Sequence, residues 1–229
     1  TLSDPHDFDF AVAGGGPAGS SAAITLAQKG HRVVLFERER FPRFHIGESL
    51  LSTANEHFDA LGVAERMKEA RFPDKWGARL ITHDGRAGRG VDFVAASEIP
   101  QPKTYQVSRA EFDDILLQRA FELGVEVRQE HRVTDCVFAA DEATLDFVDK
   151  AGAGGRVRVR ALIDATGRNG LLAKKFALRT DEPLLANIAI FERENLVEQT
   201  AEVGPYFTRC LEQRVGGAGA GVGRAGWHI

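Results

Sequence analysis

The sequence predicts an α/β fold built on a parallel sheet, and consecutive segments near the N-terminus lead to this prediction. Residues 8–13 have the apolar pattern of a short buried strand, and a glycine-rich run at 14–19 follows directly. A helix is expected at 18–29 and a second strand at 31–37. A strand, a glycine turn, a helix and a strand in this order predict a Rossmann-like unit that binds a dinucleotide.

The glycines of the run, Gly-Gly-Gly-Pro-Ala-Gly, have distinct expected roles. Gly14 permits the tight turn, Gly16 lets the backbone approach a pyrophosphate, and Gly19 lets the helix pack close to the strand. Pro17 precedes the helix that Ala18 opens, and the free N–H groups and positive dipole end of this helix then face the phosphates. These five residues are therefore candidate cofactor ligands.

Glu37 ends the second predicted strand, 23 positions after Gly14. This is close to the spacing of about 20 residues at which an acid binds the ribose of a dinucleotide. A glycine-rich turn by itself would equally fit a flexible loop. The full order of elements, closed by the acid, favours a cofactor site.

The composition is that of an ordinary globular protein. Its 229 residues carry 29 basic and 33 acidic side chains, and the formal net charge of −4 offers no broad footprint for nucleic acid. Cys136 and Cys210 are too few for a disulfide framework or a metal site. Residues 1–9 lack the pattern of a secretory signal, and no apolar stretch is long enough to span a membrane. We therefore expect a cytoplasmic protein without a metal.

Two β-rich insertions interrupt the α/β pattern. A hairpin is expected at about 77–107, with its turn at 84–85, and an antiparallel β-meander at about 135–160. The other predicted elements are helices at 49–61, 63–71 and 109–123 and strands at 125–128 and 161–165.

The last part of the chain has a different character. Residues 187–191 are strand-like, but 215–226 are dominated by Gly, Ala and Arg and have no apolar period. We predict a cofactor-binding domain over 1–186, with both insertions, and the start of a β-rich substrate domain with an irregular tail over 187–229.

A second motif, Phe-Pro-Arg-Phe-His-Ile-Gly-Glu-Ser-Leu at 41–50, indicates a family. Together with the glycine run, this motif resembles the flavin-dependent halogenases and their relatives, the geranylgeranyl-reductase-like FAD oxidoreductases. The wider group includes the aromatic hydroxylases. Three further segments fit: Lys-Trp-Gly-Ala at 75–78, Tyr-Gln-Val-Ser-Arg-Ala-Glu-Phe-Asp at 105–113 and Asp-Ala-Thr-Gly at 164–167. The resemblance covers roughly residues 8–191. It implies a Rossmann-like FAD-binding fold with FAD as the cofactor.

The resemblance also implies FAD ligands. Arg109 opens a predicted helix, where the helix dipole disfavours a cation, so the FAD diphosphate would explain its presence; an ion pair with Asp113 is the alternative. Gly47 permits close backbone approach to the cofactor, whereas Ser49 could instead be a plain helix cap. The other residues that the resemblance assigns to FAD are Arg38, Ile46, Glu48, Val133, Asp164 and Gly167.

Lys75 is the candidate catalytic residue. In the halogenases that the chain resembles, reduced flavin, oxygen and halide generate a hypohalous acid, which travels to a lysine beside the aromatic substrate. An ammonium group can donate a hydrogen bond to this acid, and a neutral amine can be chlorinated. The segment at 75–78 is similar to that lysine motif. The alternative is a solvated lysine after Pro73 and Asp74.

The sequence also departs from the family. The glycine run differs from the form common in tryptophan halogenases, which favours a phenolic, pyrrolic or carrier-bound substrate. The halogenase hallmark Trp-x-Trp-x-Ile-Pro is absent, since Trp76 and Trp227 are the only tryptophans. The resemblance implies that the chain is the N-terminal, C-terminally truncated portion of a longer enzyme.

We therefore expect an FAD-dependent oxidoreductase of the halogenase type. It would act on an aromatic substrate with reduced FAD, oxygen and halide, and a separate flavin reductase is an expected partner. The alternatives are an aromatic hydroxylase (monooxygenase), a geranylgeranyl-reductase-like saturase, and a noncatalytic flavin-binding fragment.

Overall fold

The computed structural model describes residues 6–81, 88–93 and 103–178. The chain divides into two compact units, Thr1–Ala177 and Leu178–Ile229, and the elements below belong to the first. The predicted domain boundary after residue 186, the strand-like segment at 187–191 and the turn at 84–85 lie outside the described residues, and they stay predictions.

The described part of the first unit contains helices, strands and a short 3₁₀ turn in a mixed order. The helices are α1 Pro17–Gln28, α2 Ala54–Leu61, α3 Ala64–Glu69, α4 Arg109–Glu122 and α5 Leu171–Lys175, and the 3₁₀ turn is Gly167–Asn169. The strands are β1 Phe8–Ala13, β2 Val33–Glu37, β3 Asp74–Lys75, β4 Gly77–Ile81, β5 Gly88–Asp92, β6 Thr104–Tyr105, β7 Glu126–Gln129, β8 His131–Phe138, β9 Ala143–Asp149 and β10 Gly154–Asp164.

A six-stranded sheet in the order β7-β2-β1-β10-β9-β8 forms the centre of this unit. β1 pairs in parallel with β2 and β10, and β2 pairs in parallel with β7. The carboxyl ends of β1, β2 and β10 therefore lie at one edge, which brings Gly14, Glu37 and Asp164 together, as α/β folds do at a ligand site. The predicted Rossmann-like α/β fold is confirmed.

The sheet separates two apolar clusters because alternate residues of β1 point to opposite faces. Val12 packs with the helix residues Ile24 and Leu116 on one face. Ala11 packs with Leu145 and other meander residues on the second face. Among the helices of the described ranges, none is both long and apolar enough to cross a bilayer.

β10 differs from the sequence prediction because it is one strand of eleven residues. The sequence predicted a meander strand at 156–159 and a separate strand at 161–165. In the structure Val159 pairs with Phe8 of β1 and also with Ala143 of β9. The antiparallel meander of β8, β9 and β10 therefore continues the main sheet.

The start of α2 was predicted wrongly: the helix begins at Ala54, not at residue 49. Ser49 forms an isolated antiparallel bridge with Gln106, so it is not the helix cap. The Val107 N–H donates to the Glu48 carbonyl at 2.8 Å, and the Leu50 N–H donates to the Tyr105 carbonyl at 3.2 Å. These long-range hydrogen bonds hold residues 48–50 in an extended conformation.

The predicted hairpin is present as two small antiparallel pairs. β4 pairs with β5, and β3 pairs with β6. The second pair places Lys75 opposite Thr104, directly beside the extended segment at 48–50.

Candidate cofactor site

The glycine turn after β1 is shaped by close backbone contacts. Gly14 has a φ of +106°, and a Cβ atom there would overlap the Ala165 carbonyl oxygen. A Cβ atom at Gly19 would overlap the Gly14 carbonyl oxygen. At Gly16, by contrast, the nearest atom to such a Cβ would be the Arg43 Nη2, at an ordinary 3.6 Å. The protein itself requires Gly14 and Gly19, whereas at Gly16 the nearest neighbour is the end of a flexible arginine side chain.

The first turn of α1 presents backbone N–H groups at this glycine turn. Gly16 is the N-cap residue, Pro17 follows it, and the fully described first turn contains no acidic side chain. No acidic side chain of that turn neutralises the helix dipole, which suits an anion at this position.

Glu37 lies at the carboxyl end of β2 and is only 5% exposed. Its Oε2 accepts a hydrogen bond from the Gly15 N–H at 2.7 Å, and its Oε1 accepts one from the Glu39 N–H at 2.9 Å. A carboxylate has about four acceptor positions, so about two remain for ribose hydroxyls. The structure fixes this acid against the glycine turn, as its predicted role requires.

Arg109 begins α4 and binds two different groups. Its Nε and Nη2 donate to the two carboxylate oxygens of Asp113, at 2.7 and 2.9 Å, so the ion pair considered as the alternative is present. Asp113 is fully buried, however, and this is not a surface pair. The Arg109 Nη1 also donates to the Ile46 carbonyl at 2.7 Å. The arginine thus joins α4 to the segment that the resemblance assigned to FAD.

Arg43 is a site residue that the sequence analysis did not single out. Its side chain is 10% exposed, its Nη1 donates to the Asp113 Oδ2 at 3.1 Å, and its guanidinium lies 4.5 Å from the centre of the Phe41 ring. Its Nη2 faces Gly16, as described above. The only sequence signal was a basic residue inside the motif at 41–50, because its approach to the glycine turn depends on tertiary contacts.

The segment around Gly47 has a strained conformation that favours glycine, with a φ of +99°. A Cβ atom at Gly47 would lie 3.2 Å from the Arg109 Nη1. The Gly47 N–H donates to the Glu48 Oε2 at 3.2 Å, and the Ile46 side chain is 54% exposed. Ile46 and Gly47 therefore border the Arg109 guanidinium, while Ser49 pairs with Gln106.

Asp164 organises the turn that follows β10. Its Oδ1 accepts hydrogen bonds from the N–H and the hydroxyl of Thr166, and its Oδ2 accepts one from the Leu172 N–H at 2.7 Å. Gly167 then has a φ of +63°, and a Cβ atom there would meet no atom within 4 Å. Asp164 therefore shapes the turn, and Gly167 leaves open space beside it.

Two other predicted FAD residues lie in contrasting surroundings. Arg38 is largely exposed and donates to the Glu39 carboxylate at 3.2 Å. Val133 is buried in the apolar cluster that contains Phe36. A cofactor contact of Val133 would therefore have to use its backbone.

Lys75 lies on β3 and is half-buried. Its Nζ donates a hydrogen bond to the Leu50 carbonyl at 2.9 Å and lies 5.1 Å from the centre of the Phe93 ring. The lysine is therefore held against the end of the segment that begins at Ile46, in contrast to a freely solvated side chain.

A cavity of about 720 Å³ opens beside these groups, between α1, α2 and α4. Pro17, Gly47 and Arg109 line it together with the apolar side chains of Phe58 and Ile163. The start of α1 and the segment at 46–50, through Gly47 and Leu50, thus share one concave surface, which is where ligand sites generally form.

A family model described as an FAD binding domain matches residues 7–210. The chain belongs to the FAD-binding domain family. Its flavin-dependent relatives include the halogenase armH3 of Armillaria mellea, which is 40% identical over 193 residues; the match covers 82% of this chain and 38% of that protein. A pyrrole-2-carbonyl peptidyl-carrier-protein chlorinase of Pseudomonas fluorescens is 31% identical over 228 residues, covering 90% of this chain and 51% of the relative.

The FAD-binding domain also matches solved structures. The myxobacterial chondrochloren halogenase CndH aligns with a TM-score of 0.64 and 38% identity, over 70% of this chain and 37% of that one. The chain thus spans between about a third and a half of the lengths of these proteins.

The residues of this FAD-binding domain fit its cofactor. The start of α1, which has no side-chain cap, and the guanidiniums of Arg43 and Arg109 suit a diphosphate, and Glu37 suits a ribose. Within the described ranges, no group of His, Cys, Asp and Glu side chains could hold a metal ion.

Proposed function

We propose that this chain supplies the FAD-binding part of a flavin-dependent halogenase that acts on an aromatic substrate. The observation that carries the proposal is the position of Lys75. Its ammonium group is bound to one end of the segment 46–50, and Arg109 is bound to the other end. This arrangement connects a candidate halogenation residue to the cofactor site through a single short segment.

The proposed roles of the site residues follow from their contacts. Glu37 binds the ribose of the adenosine part, and the N–H groups at the start of α1 bind the diphosphate. The positive charge of Arg109 offsets the phosphate charge, while its bond to the Ile46 carbonyl fixes the segment that borders the cofactor. Reduced FAD supplies the reaction with oxygen and halide from which the halogenating species arises.

Lys75 would act on that species directly. An ammonium group has three N–H donors, and in the described contacts one of them binds the Leu50 carbonyl. A further N–H donates to the oxygen of hypohalous acid, which holds its halogen toward the aromatic carbon. The Phe93 ring beside the ammonium group limits the directions that Lys75 can take.

The substrate proposed is a phenolic or pyrrolic ring, free or attached to a carrier protein. The glycine run favours this class over free tryptophan, and the relative named for pyrrolyl carrier-protein chlorination supports it. We also propose that a separate flavin reductase supplies reduced FAD.

Halide dependence provides the test. The chain would be assayed alone and as a chimera in which it replaces the matching part of the Pseudomonas fluorescens chlorinase. Reduced FAD, oxygen, chloride and a panel of phenols and carrier-bound pyrroles would be supplied, and the product would be examined for the chlorine isotope pattern.

The expected product is chlorinated, and it disappears when chloride is omitted. A hydroxylated product formed equally well without halide would overturn the halogenase proposal in favour of an aromatic hydroxylase. A chimera that binds FAD but yields no product of either kind would favour a noncatalytic flavin-binding role.

A further inference from the structure

Asp113 is a buried carboxylate shared by two arginines from distant parts of the chain. Arg109 lies one helical turn before it on α4, and Arg43 lies in the loop after β2. Arg109 donates to both carboxylate oxygens, whereas the Arg43 Nη1 donates to Oδ2 at 3.1 Å. Both arginine side chains are nearly buried, at 10% and 12% exposure, and Asp113 is fully buried.

The charges of this cluster do not cancel. Two guanidiniums face one carboxylate, which leaves about +1 on these three side chains where water screens little. The other buried carboxylate near the glycine turn, Glu37, is bound instead to the N–H groups of Gly15 and Glu39. Glu39 lies 3.9 Å from the Arg43 Nε, but its side chain is 44% exposed and therefore well screened. The uncompensated charge lies beside the start of α1, whose dipole is also positive.

The guanidiniums are also directed toward the glycines of the site. The Arg43 Nη2 is 3.6 Å from the position that a Cβ atom would take at Gly16, and the Arg109 Nη1 is 3.2 Å from that position at Gly47. An arginine has five N–H donors. The hydrogen bonds found in the described ranges use three on Arg109 and one on Arg43.

If the cluster served only to connect α4 with the loop after β2, one arginine paired with the Asp113 carboxylate would be enough. A second buried cation beside a positive helix end is costly unless an anion completes the cluster. We propose that Asp113 is a positioning residue, which holds Arg43 and Arg109 as a paired guanidinium site, and that Arg43 binds the FAD diphosphate directly. This inference rests on the proposed cofactor site and adds to it a ligand and the group that orients it.

The test measures how much of nucleotide binding depends on the diphosphate. FAD binding to the full chain would be followed by flavin fluorescence, and ADP and adenosine would be compared as competitors. The dissociation constant of adenosine divided by that of ADP isolates the phosphate contribution. Arg43→Gln is expected to reduce this ratio about tenfold, with adenosine affinity unchanged.

Two further variants examine Asp113. Asp113→Asn leaves two unrestrained buried cations, and it should reduce the ratio by about tenfold while lowering the melting temperature. The double variant Asp113→Asn/Arg43→Gln restores the net charge of +1 but lacks the paired geometry. It should fold and show the same reduced ratio. Arg66→Gln, which removes a surface ion pair with Glu122, is the control and should leave the ratio unchanged.

Each alternative outcome has a separate meaning. If Arg43→Gln and the double variant retain the wild-type ratio, or weaken ADP and adenosine equally, the cluster is structural and the inference is overturned. If the wild-type chain binds neither FAD nor ADP, the proposed cofactor site itself fails. Failure of Asp113→Asn to fold leaves the other two variants to decide.

Discussion

The Lys75 ammonium group donates a hydrogen bond to the Leu50 carbonyl oxygen, with 2.9 Å between Nζ and oxygen. At the other end of the same segment, the Ile46 carbonyl accepts a hydrogen bond from Arg109 at 2.7 Å. Four residue steps separate the two carbonyl groups, which limits their distance to about 14 Å even in a fully extended chain. The candidate catalytic lysine and a candidate phosphate ligand therefore lie within one small region.

Substitution of Lys75 should separate catalysis from cofactor binding. Lys75→Ala is expected to lower halogenation by about 10²-fold or more, because the donor to the halogenating species is lost. FAD affinity should change by less than about twofold, a loss worth under 1 kcal/mol. Mass spectrometry of the product measures halogenation by the chimera, and flavin fluorescence measures the FAD affinity of the chain.

Lys75→Arg is the matched variant for this prediction. Arginine keeps the charge and can still bind the Leu50 carbonyl, but its bulkier guanidinium cannot present a compact ammonium donor or lose its proton. We expect activity to remain low with FAD binding intact. Full activity of Lys75→Ala would show that Lys75 only anchors the segment.

Glu37→Gln should weaken FAD binding about tenfold, because a neutral amide loses the charge-assisted hydrogen bonds to ribose hydroxyls. The melting temperature should also fall, since the buried carboxylate binds the N–H groups of Gly15 and Glu39. Fluorescence titration and thermal unfolding measure the two effects. Glu65→Gln, whose carboxylate is 80% exposed and pairs with Lys68, serves as the control and should leave FAD affinity near the wild-type value.

Substitution by alanine should lower FAD affinity at Gly16 and fold stability at Gly19. Gly16 has φ −68° and ψ −177°, which alanine adopts easily, so Gly16→Ala should retain its fold and lose FAD affinity by about tenfold or more. Gly19→Ala should destabilise the fold by about 3 kcal/mol, because its Cβ atom would overlap the backbone at Gly14. Urea unfolding and FAD titration distinguish the two. Normal FAD binding by Gly16→Ala would contradict the position of the diphosphate.

Asp9 should make stability depend on pH in the acid range. The Arg32 backbone N–H, followed by its guanidinium, holds the pKa of the Asp9 carboxyl below its usual range. The unfolded chain therefore takes up a proton first as pH falls. The stabilisation is complete above about pH 4 and is lost as pH decreases through the folded-state pKa.

Asp9→Asn is accordingly expected to lower the free energy of unfolding by about 1–2 kcal/mol at neutral pH. The difference from wild type should shrink below about pH 4, where the Asp9 carboxyl of the unfolded chain becomes protonated, and it should be lost as the pH falls through the lower pKa of the folded state. Urea unfolding of both proteins at several pH values measures this difference in the free energy of unfolding. A difference that stays constant down to the acid limit of folding would show that charge is not its source.

The sequence predicted the parts of the site that depend on local order and parallel topology. Gly14 and Glu37 both follow strands of one βαβ unit, so their meeting at the sheet edge could be foreseen. The start of α2 and the role of Arg43 could not. Both depend on partners more than 50 residues away, such as Tyr105 for the Leu50 N–H and Asp113 for Arg43. Helical periodicity and charge carry no information about such partners.

The continuity of β10 has a consequence for engineering this domain. Val159 pairs on both sides, so the same strand closes the meander and carries Asp164 to the edge beside Gly14. The meander is therefore not a separable insertion, because deletion of residues 135–160 would remove the support of the cofactor turn. Within the meander, residues can be inserted or deleted only in the two turns, near 139–142 and 150–153, where the chain leaves the sheet.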